Sequence, residues 1–366
     1  MNVRAAVTES KGAPFTIREI ELEQPRDDEV LVRVQAAGIC HTDLIIRDQW
    51  YPVPLPAVLG HEGAGVIEAV GAAVTKVAPG DRVAMSYGSC SGCANCQAGR
   101  PWVCHDFWGR NFAATRADGT SALRRAGEVV HSHFFGQSSF ATHAIATERN
   151  VTKLDPSVPL DVVAPFGCGI QTGAGAVMNA LRPPAGSSIA VFGTGTVGLT
   201  AIMAARATGC TTIIGIDTRP GRLEVARDLG ATAVIDAGDA DVLQAIRDVT
   251  AAVGVDFSLE TTGSPHVLSQ AVYATGPGGT CGLIGAPPFG AEVSLDVNQM
   301  LALGRTLKGI VEGESVPDVF LPRLIALWQQ GRFPVERIIT YYDFDEIDRA
   351  AHDAEDGVVI KPVLRF

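Results

Sequence analysis

The pattern of apolar and polar positions predicts short strands over roughly the first 85 residues. Residues 29–35 alternate apolar and polar side chains as a half-buried strand does, and residues 63–71 form a second apolar run bounded by glycines. Pro79-Gly80-Asp81 predicts a turn that opens a third strand at 82–85. This pattern is typical of a barrel-like or Greek-key-like β domain. The next stretch, 86–140, is long, polar and without periodicity, so some other device must order it.

From about residue 170 the pattern changes to apolar runs that alternate with helical segments. Strands are predicted at 188–192, 212–216, 233–235 and 257–260, and helices at 199–208, 220–229 and 241–252. Repeated alternation of strand and helix predicts a parallel, doubly wound sheet. A helix near 317–330 and a strand at 358–364 close the chain. The predicted fold class is therefore α/β, with a Rossmann-type sheet and a separate β-rich domain.

Composition indicates a folded protein and argues against a nucleic-acid partner. The chain has 366 residues, of which 46% are hydrophobic and 19% charged, and its formal net charge is −11. No basic run is longer than Arg124-Arg125, which also argues against an anionic-membrane surface. The N-terminal residues contain no apolar signal region, and the charge-free stretches 162–181 and 183–205 are broken by glycine, proline and polar residues. We therefore expect a cytoplasmic protein without a membrane span.

Eight cysteines in a chain of this size favour metal binding or catalysis over a disulfide framework. Four of them lie within fifteen residues, at Cys90, Cys93, Cys96 and Cys104. A closed shell of four thiolates is typical of a structural zinc site, and metal binding can order a loop that has little core of its own. The surplus negative charge of four thiolates would be offset by Arg100 or by backbone N–H groups.

Two further cysteines, Cys40 and Cys168, are isolated, and His61 lies between them in the string Gly60-His61-Glu62. Two thiolates and one imidazole from three distant segments would leave the fourth zinc position for water or substrate, as a catalytic site requires. By spacing alone, however, a lone cysteine is more often a core residue.

A glycine-rich turn, Gly193-Thr194-Gly195-Thr196-Val197-Gly198, follows a predicted strand and opens a predicted helix. Asp217 ends the next strand, 19 residues after Gly198. This context predicts a dinucleotide site with the pyrophosphate at the helix N-terminus. Asp217 would accept hydrogen bonds from the ribose hydroxyls and repel a 2′-phosphate, which favours NAD over NADP. Arg219 and Arg222 fit either a role beside the cofactor or a solvated helix start.

Together these motifs resemble the zinc-dependent medium-chain alcohol dehydrogenases from end to end. The matching strings stand in the family's order, at 38–43, 60–71, 79–83, 90–104, 167–173 and 193–198. Residues 135–144 look most like the bacterial aryl-alcohol (benzyl alcohol) dehydrogenases. The resemblance implies a GroES-like catalytic domain at 1–169 and 307–366, and a Rossmann NAD domain at 170–306. It also implies a homodimer or homotetramer, with 304–309 at the subunit interface.

The resemblance assigns a role to each candidate site residue. Cys40, His61 and Cys168 would hold a catalytic zinc and the four-cysteine loop a structural zinc, giving two zinc ions per subunit. Thr42 would hydrogen-bond the alcohol, Glu62 would be a second-sphere or transient ligand, and Ile45 stands where many members carry a proton-relay histidine. We therefore expect Thr42 and the cofactor ribose to release the proton to water. The implied cofactor contacts are His41, Thr172, Gly193, Gly195, Thr196, Val197, Gly198, Asp217, Arg222, Ile284, Ala286 and Lys361.

The implied substrate pocket is aromatic and apolar, at Trp50, Tyr51, Tyr87 and Phe140. It predicts NAD-dependent, reversible oxidation of small apolar primary alcohols, of benzyl or allylic type, to aldehydes. The sequence does not choose among benzyl, cinnamyl and terpenoid alcohols such as geraniol or perillyl alcohol. The related glutathione-dependent formaldehyde dehydrogenases carry an acidic residue where this chain has Tyr51 and an arginine about where it has Trp108. The absence of both anchors argues against that alternative.

Overall fold

The computed structural model describes all 366 residues, and they form two compact units. The first unit contains Met1–Gly169, Val316–Ile325 and Val335–Phe366. The second contains Ile170–Ser315 and Ala326–Pro334. The sequence placed the return to the first domain at 307, but 306–309 form a strand of the second unit's sheet, so the return comes later.

Eighteen strands are present. They are β1 (Asn2–Thr8), β2 (Thr16–Leu22), β3 (Glu29–Gly38), β4 (Ala57–Val58), β5 (Glu62–Val70), β6 (Arg82–Met85), β7 (Leu123–Arg125), β8 (Glu128–Val130), β9 (His143–Thr147), β10 (Val151–Lys153), β11 (Ser188–Phe192), β12 (Thr212–Asp217), β13 (Ala233–Asp236), β14 (Val255–Glu260), β15 (Thr275–Leu283), β16 (Thr306–Gly309), β17 (Ile339–Asp343) and β18 (Lys361–Arg365).

Twelve α-helices accompany them, with several single turns of 3₁₀ or π geometry. They are α1 (His41–Arg47), α2 (Ala94–Gln97), α3 (Phe107–Phe112), α4 (Leu160–Val163), α5 (Gly169–Gly175), α6 (Thr196–Thr208), α7 (Pro220–Leu229), α8 (Val242–Val249), α9 (Pro265–Ala274), α10 (Val297–Ala302), α11 (Pro317–Gln329) and α12 (Ile347–Glu355). No helix is both long and apolar enough to cross a membrane.

The first unit is built on two sheets around one apolar core. A five-stranded sheet has the order β4-β1-β2-β7-β8, and a seven-stranded sheet has the order β10-β6-β5-β3-β18-β17, with β9 also pairing with β3. Nine of the ten residues of β3 are buried or half-buried, because β3 lies inside its sheet. Its end delivers the chain to α1, and the start of β5 pairs with the end of β3. These two strand ends place 40–43 beside 60–62.

The second unit is a six-stranded parallel sheet in the order β13-β12-β11-β14-β15-β16. Counted within the unit, this is the strand order 3-2-1-4-5-6 of a doubly wound dinucleotide-binding fold. Helix α6 follows the first strand of this sheet and ends at Gly209, whose φ of 92° forms a left-handed cap. The predicted α/β class, with a Rossmann-type sheet and a β-rich domain, is confirmed.

Candidate active site

Three metal-ligand side chains converge in the first unit. Cys40 precedes α1, His61 precedes β5, and Cys168 lies between a 3₁₀ turn and α5. Their sulfur and nitrogen atoms all lie within 4.8 Å of one another. The Cys168 thiol donates a hydrogen bond to Cys40 and holds the pKa of the Cys40 thiol well below its ordinary value. Two sulfurs and one imidazole nitrogen are a donor set that zinc prefers.

The His61 ring is aimed by Asp43, which is fully buried. One Asp43 carboxylate oxygen lies 2.8 Å from His61 Nδ1 and accepts the Gly60 N–H, while the other accepts the Cys40 N–H. Because Nδ1 faces a carboxylate, the free lone pair of the ring is on Nε2. That Nε2 is buried and has no hydrogen-bond partner. An orphaned buried nitrogen between two sulfurs fits a metal ion.

Glu62 and Lys361 form a buried ion pair next to this cluster. Lys361 Nζ lies 2.9 Å and 3.1 Å from the two Glu62 carboxylate oxygens and also donates to the Ile39 carbonyl. Burial raises the pKa of Glu62. Burial lowers the pKa of Lys361. The negative charges of Glu62 and Cys40 raise it by more than burial lowers it, so the net shift of the Lys361 pKa is upward. All three Lys361 protons are therefore directed at protein oxygens, and a cofactor contact by Lys361 stays a prediction.

The first turn of α1 carries the other predicted catalytic positions. Thr42 Oγ lies 3.8 Å from Cys40 Sγ, so its hydroxyl adjoins the metal-ligand cluster. His41 is exposed, with its ring 6.4 Å from that of Trp50. Ile45 is 2% exposed and belongs to the core, so no titratable group stands at that position.

Five aromatic side chains form a contiguous group beside His61, which we call the aromatic wall: Tyr51, Trp108, Phe112, Phe134 and Phe135. The Phe135 and His61 ring centroids are 4.5 Å apart, and Phe134 meets His61 edge-on at 5.5 Å. Phe112 contacts both phenylalanines, and Trp108 stacks on Phe112 at 4.2 Å. Since Phe134 and Phe135 are buried and Trp108 is 47% exposed, the wall runs from the metal ligand to solvent.

The loop that carries Phe134 and Phe135 is held in an unusual conformation. Phe135 has a φ of 50° and His133 a φ of 67°, in the left-handed region that bulky residues rarely adopt. Gln137 fixes the loop to the metal ligand, because its amide donates to the His61 carbonyl and accepts the Gly63 N–H. Strain of this kind persists only where the surroundings over-determine it, and it is common at functional sites.

A buried acid supports the same loop. Arg116 donates to both Glu29 carboxylate oxygens at 2.6 Å and 2.9 Å, and His133 Nε2 lies 3.7 Å from Glu29. Burial alone would raise the pKa of Glu29, but His133 and Arg116 lower it to about 2. Glu29 is therefore ionised in the folded protein and balances the buried Arg116.

The structure brings only one of the four predicted pocket residues, Tyr51, into the aromatic wall. Phe140 is fully buried and packs edge-on against Phe15 at 5.6 Å, as part of the core. Tyr87 is 3% exposed and lies beside Phe107, and Trp50 is 46% exposed beside His41. A pocket role for Trp50, Tyr87 and Phe140 stays a prediction.

The four-cysteine loop closes around a second potential metal position. The sulfurs of Cys90, Cys93, Cys96 and Cys104 lie within 4.8 Å of one another. Backbone N–H groups point at them, from Cys93 to the Cys90 sulfur and from Cys90 to the Cys104 sulfur, both at 3.3 Å. A hydrogen bond from the His105 N–H lowers the pKa of Cys93 to about 6. Arg100 donates to Asn95, and the N–H groups that donate to these sulfurs belong to the backbone.

In the second unit, glycine is needed for a different reason at each of the three glycine positions in the turn before α6. Gly193 has a φ of 91°, and a Cβ on Gly198 would lie 1.8 Å from the Gly193 carbonyl oxygen. A Cβ on Gly195 would meet only Arg222, at 4.0 Å. The turn therefore needs two glycines for its own backbone and keeps open space at the third, as close approach of a pyrophosphate requires.

The other predicted cofactor residues of this unit surround the same sheet edge. Asp217 accepts the N–H and the hydroxyl of Thr194, at 2.7 Å and 2.8 Å, and the Arg219 N–H at 3.0 Å. Arg222 is partly buried, and its Nε has no hydrogen-bond partner, so a fully solvated helix start does not describe it. The Ile284 N–H donates to the Glu260 carbonyl, which places 284–286 at the end of β15.

Comparison with known families decides the assignment. Residues 26–156 match the alcohol dehydrogenase GroES-like domain, and residues 196–327 match the zinc-binding dehydrogenase domain. The two matches cover most of the chain. The chain belongs to the zinc-dependent medium-chain alcohol dehydrogenases. The family predicted from the sequence motifs is therefore confirmed.

Two named relatives of this dehydrogenase act on different alcohols. It is 45% identical to geraniol dehydrogenase of Castellaniella defragrans, across 100% of this chain and 98% of the relative. The crystal structure of benzyl alcohol dehydrogenase from Acinetobacter calcoaceticus is 48% identical, with a TM-score of 0.97 across 100% of this chain and 99% of that one. An alcohol dehydrogenase zinc-binding domain protein from Burkholderia ambifaria is 53% identical, with a TM-score of 0.98 over the same shares.

Sequence reasoning missed several residues that organise this dehydrogenase's site. Asp43 stood in a quoted motif but received no role, although an acid three residues after Cys40 at a helix start was a usable capping signal. The spacing of Trp108 and Phe112 on one helix face, and the doublet Phe134-Phe135, were also visible. Nothing in the sequence indicated that Gln137 ties this loop to His61.

Proposed function

We propose that this dehydrogenase reversibly oxidises primary aromatic or allylic alcohols, of benzyl alcohol type, to aldehydes with NAD. The aromatic wall is the observation that carries the proposal. It begins in contact with the ring of His61 and reaches solvent at Trp108. A planar substrate would gain from stacked or edge-on contacts with such rings, whereas a short aliphatic alcohol such as ethanol offers them little apolar surface.

Each part of the metal site has a role in this proposal. Cys40, His61 and Cys168 would hold zinc, which supplies a Lewis acid for the alcohol oxygen, while NAD supplies the hydride acceptor. Asp43 keeps the His61 lone pair on Nε2 and fixes the ring. Thr42 Oγ would accept the alcohol proton, and because Ile45 offers no base, Thr42 and the cofactor ribose would release that proton to water.

The four-cysteine loop would hold a second, structural zinc ion in each subunit. Its four sulfurs provide a closed shell, and its backbone N–H groups already face them. Clustered reduced thiolates persist in a reducing compartment, and we place the enzyme in the cytoplasm on that argument.

We propose NAD as the cofactor because of Asp217. The carboxylate lies at the end of β12 and braces Thr194 in the glycine turn, so it stands where the adenosine ribose would meet the sheet. The remaining contacts would come from His41 and Lys361 in the first unit and Thr172, Arg222, Ile284 and Ala286 in the second. A 2′-phosphate would bring two negative charges towards Asp217, which disfavours NADP.

The second candidate is a terpenoid allylic alcohol such as geraniol, favoured by the 45% identity to a geraniol dehydrogenase over the full chain. An unsaturated, flat chain also suits the aromatic wall. The glutathione-linked alternative is not favoured, because Tyr51 and Trp108 are members of the wall and carry no charge that would bind the tripeptide.

Initial rates with benzyl alcohol, geraniol and ethanol, each with NAD⁺ and NADP⁺, test the proposal. We expect benzyl alcohol or geraniol to exceed ethanol in kcat/KM by about a hundredfold, since each well-placed apolar group contributes to discrimination. Phe135→Ala should cut kcat/KM for benzyl alcohol about tenfold or more and leave that for ethanol within twofold. Phe366→Ala, at a ring that stacks on Phe344 outside the wall, is the matched control. Equal losses for both alcohols in Phe135→Ala would refute the role of the wall.

We also propose that the protein associates with a second copy through the open edge of the six-stranded sheet. β16 is the last strand of that sheet, so its outer N–H and C=O groups have no neighbouring strand. Exposed apolar residues lie on β16 and in the chain segments just before and after it, at Val297, Leu301, Leu307 and Val311. An open edge bordered by apolar side chains favours pairing with the same edge of a second chain.

A further inference from the structure

A short left-handed segment follows β16 in the second unit. Glu312, Gly313 and Glu314 have φ values of 49°, 62° and 48°. Three consecutive left-handed residues are rare, and a Cβ is disfavoured in that conformation. Gly313 satisfies this conformation without strain, but the two glutamates do not. The backbone therefore favours glycine at 312, yet the residue there has a long charged side chain.

The segment is left-handed because it touches α5 through its backbone. A Cβ on Gly313 would lie 2.4 Å from the Gln171 carbonyl oxygen, and a Cβ on Gly175 would lie 2.3 Å from the Gly313 carbonyl oxygen. Ser315 Oγ lies 2.8 Å from Gln171 Oε1 and 2.8 Å from the Glu312 carbonyl oxygen. These contacts fix the Glu312 backbone against the helix that carries Thr172.

The Glu312 side chain turns back onto the same helix. It is 8% exposed, and one carboxylate oxygen accepts the Gln171 amide at 3.3 Å and the Thr172 hydroxyl at 3.4 Å. An ionised carboxylate is only an acceptor, and a threonine hydroxyl has one proton. When Glu312 takes that proton, the Thr172 oxygen can offer only lone pairs to a ligand.

We propose that Glu312 is a positioning residue for the cofactor. It commits the Thr172 proton to itself, and so presents the Thr172 oxygen as an acceptor to an N–H donor of the bound nicotinamide dinucleotide. This role rests on the proposed function, in which Thr172 contacts that cofactor. It gives a reason for a glutamate at a backbone position that favours glycine.

The neighbouring glutamate provides a matched control. Glu314 has the same left-handed backbone, but its carboxylate pairs with Lys308 at 2.8 Å and has no contact with Thr172. Glu312→Gly and Glu314→Gly therefore relieve the same kind of strain, and only the first removes the partner of Thr172. Both variants should melt within about 3 °C of the wild type or above it, because glycine suits this backbone.

The test is isothermal titration of the purified zinc-loaded protein with NAD⁺, alongside steady-state kinetics. We expect Glu312→Gly to weaken NAD⁺ binding about tenfold and Glu312→Gln about threefold, since the amide no longer fixes the hydroxyl direction. Glu314→Gly should bind as the wild type does. In kinetics the loss should appear in KM for NAD⁺ more than in kcat, at saturating alcohol.

A double-mutant cycle with Thr172→Val separates this role from a structural one. If Glu312 acts through the hydroxyl, Glu312→Gln should cost nothing further in the Thr172→Val background. Additive losses in the cycle, or equal losses in Glu312→Gly and Glu314→Gly, would overturn the positioning role. Failure of the wild type to bind NAD⁺ would overturn the proposed cofactor together with this role, whereas wild-type binding with unchanged Glu312 variants would overturn this role alone.

Discussion

The carboxylate of Asp43 makes three contacts that connect two segments of the metal site. Its oxygens accept from the backbone of Cys40 and of Gly60 and contact the His61 ring, so two ligand segments are fixed by one side chain. Because Asp43 is fully buried, no water can replace it. The direction of the His61 lone pair therefore depends on a residue that would not touch the metal.

Asp43→Asn should lower zinc affinity at the three-ligand site about 10- to 100-fold, since residues that orient ligands have effects of this size. The amide can no longer accept at every contact, and its NH₂ group opposes the donors it meets. Competition with a chromogenic chelator, followed by metal analysis, measures the change. Asp48→Asn, at the C-terminal cap of the same helix and paired with Arg47, should retain wild-type affinity. Equal affinity in both variants would contradict the role of Asp43.

At the residue scale the sequence predicted which metal-ligand side chains cluster better than it predicted which side chains surround that cluster. Cys40, His61 and Cys168, which motif order groups together, converge in the structure, and their binding of zinc stays a prediction. The position of Phe135 beside His61 was not predicted, because it depends on a left-handed backbone and on the Gln137 hydrogen bonds. Side-chain periodicity carries no signal for either.

Among the elements, the glycine turn before α6 contains one glycine that backbone packing requires and another that ligand binding would require. Gly198 touches the Gly193 carbonyl, so any side chain there forces the strand and helix apart, whereas Gly195 faces open space beside Arg222. The same motif thus combines one packing requirement with one binding requirement.

Gly198→Ala should lower the melting temperature by roughly 5 °C or more, because overpacking costs stability. Gly195→Ala should melt within about 2 °C of the wild type but bind NAD⁺ at least about tenfold more weakly, because its methyl group occupies the space a pyrophosphate would need. Thermal denaturation and NAD⁺ titration of both variants check the contrast. A reversal of the two phenotypes would contradict the assignment of the turn.

The sequence pattern predicted strands and helices correctly where side-chain periodicity decides the local structure. It failed where another interaction decides that structure. β6, β11 and α7 have the bounds that the pattern predicts. Within 86–140 the chain forms α2, α3, β7 and β8, none of which was predicted. α2 has only four residues, none of them buried, begins after Cys93 and contains Cys96, so its conformation follows from the sulfur cluster rather than from an apolar face.

At the scale of the whole molecule, the sequence placed the first crossing between units at 169–170, where one unit ends at Gly169. It did not show that the crossing after Ile325 falls inside α11, because a continuous helix has the same periodicity on both sides of a boundary. Composition cannot mark a boundary between units that falls inside a helix rather than in a loop.

The proposed self-association makes a prediction at this scale. Replacing Leu301, which is 79% exposed, with Glu and Leu307 with Lys places charges beside the open edge of β16 and should yield monomers. Light scattering after size-exclusion chromatography measures the mass. Val358→Glu, at a 72% exposed position in the first unit, should leave the assembly unchanged. A double variant with the mass of the wild-type assembly would rule out this edge.

The stacking of Trp108 on Phe112 at the solvent end of the aromatic wall gives the protein an intrinsic optical reporter. Its indole is 47% exposed, and the chain has only four tryptophans. An apolar molecule lying along the wall would cover the indole, shift its emission to shorter wavelength and shield it from iodide quenching. Occupancy of the aromatic wall could then be followed by fluorescence in the absence of turnover. Trp108→Phe, which lacks this indole, is the control.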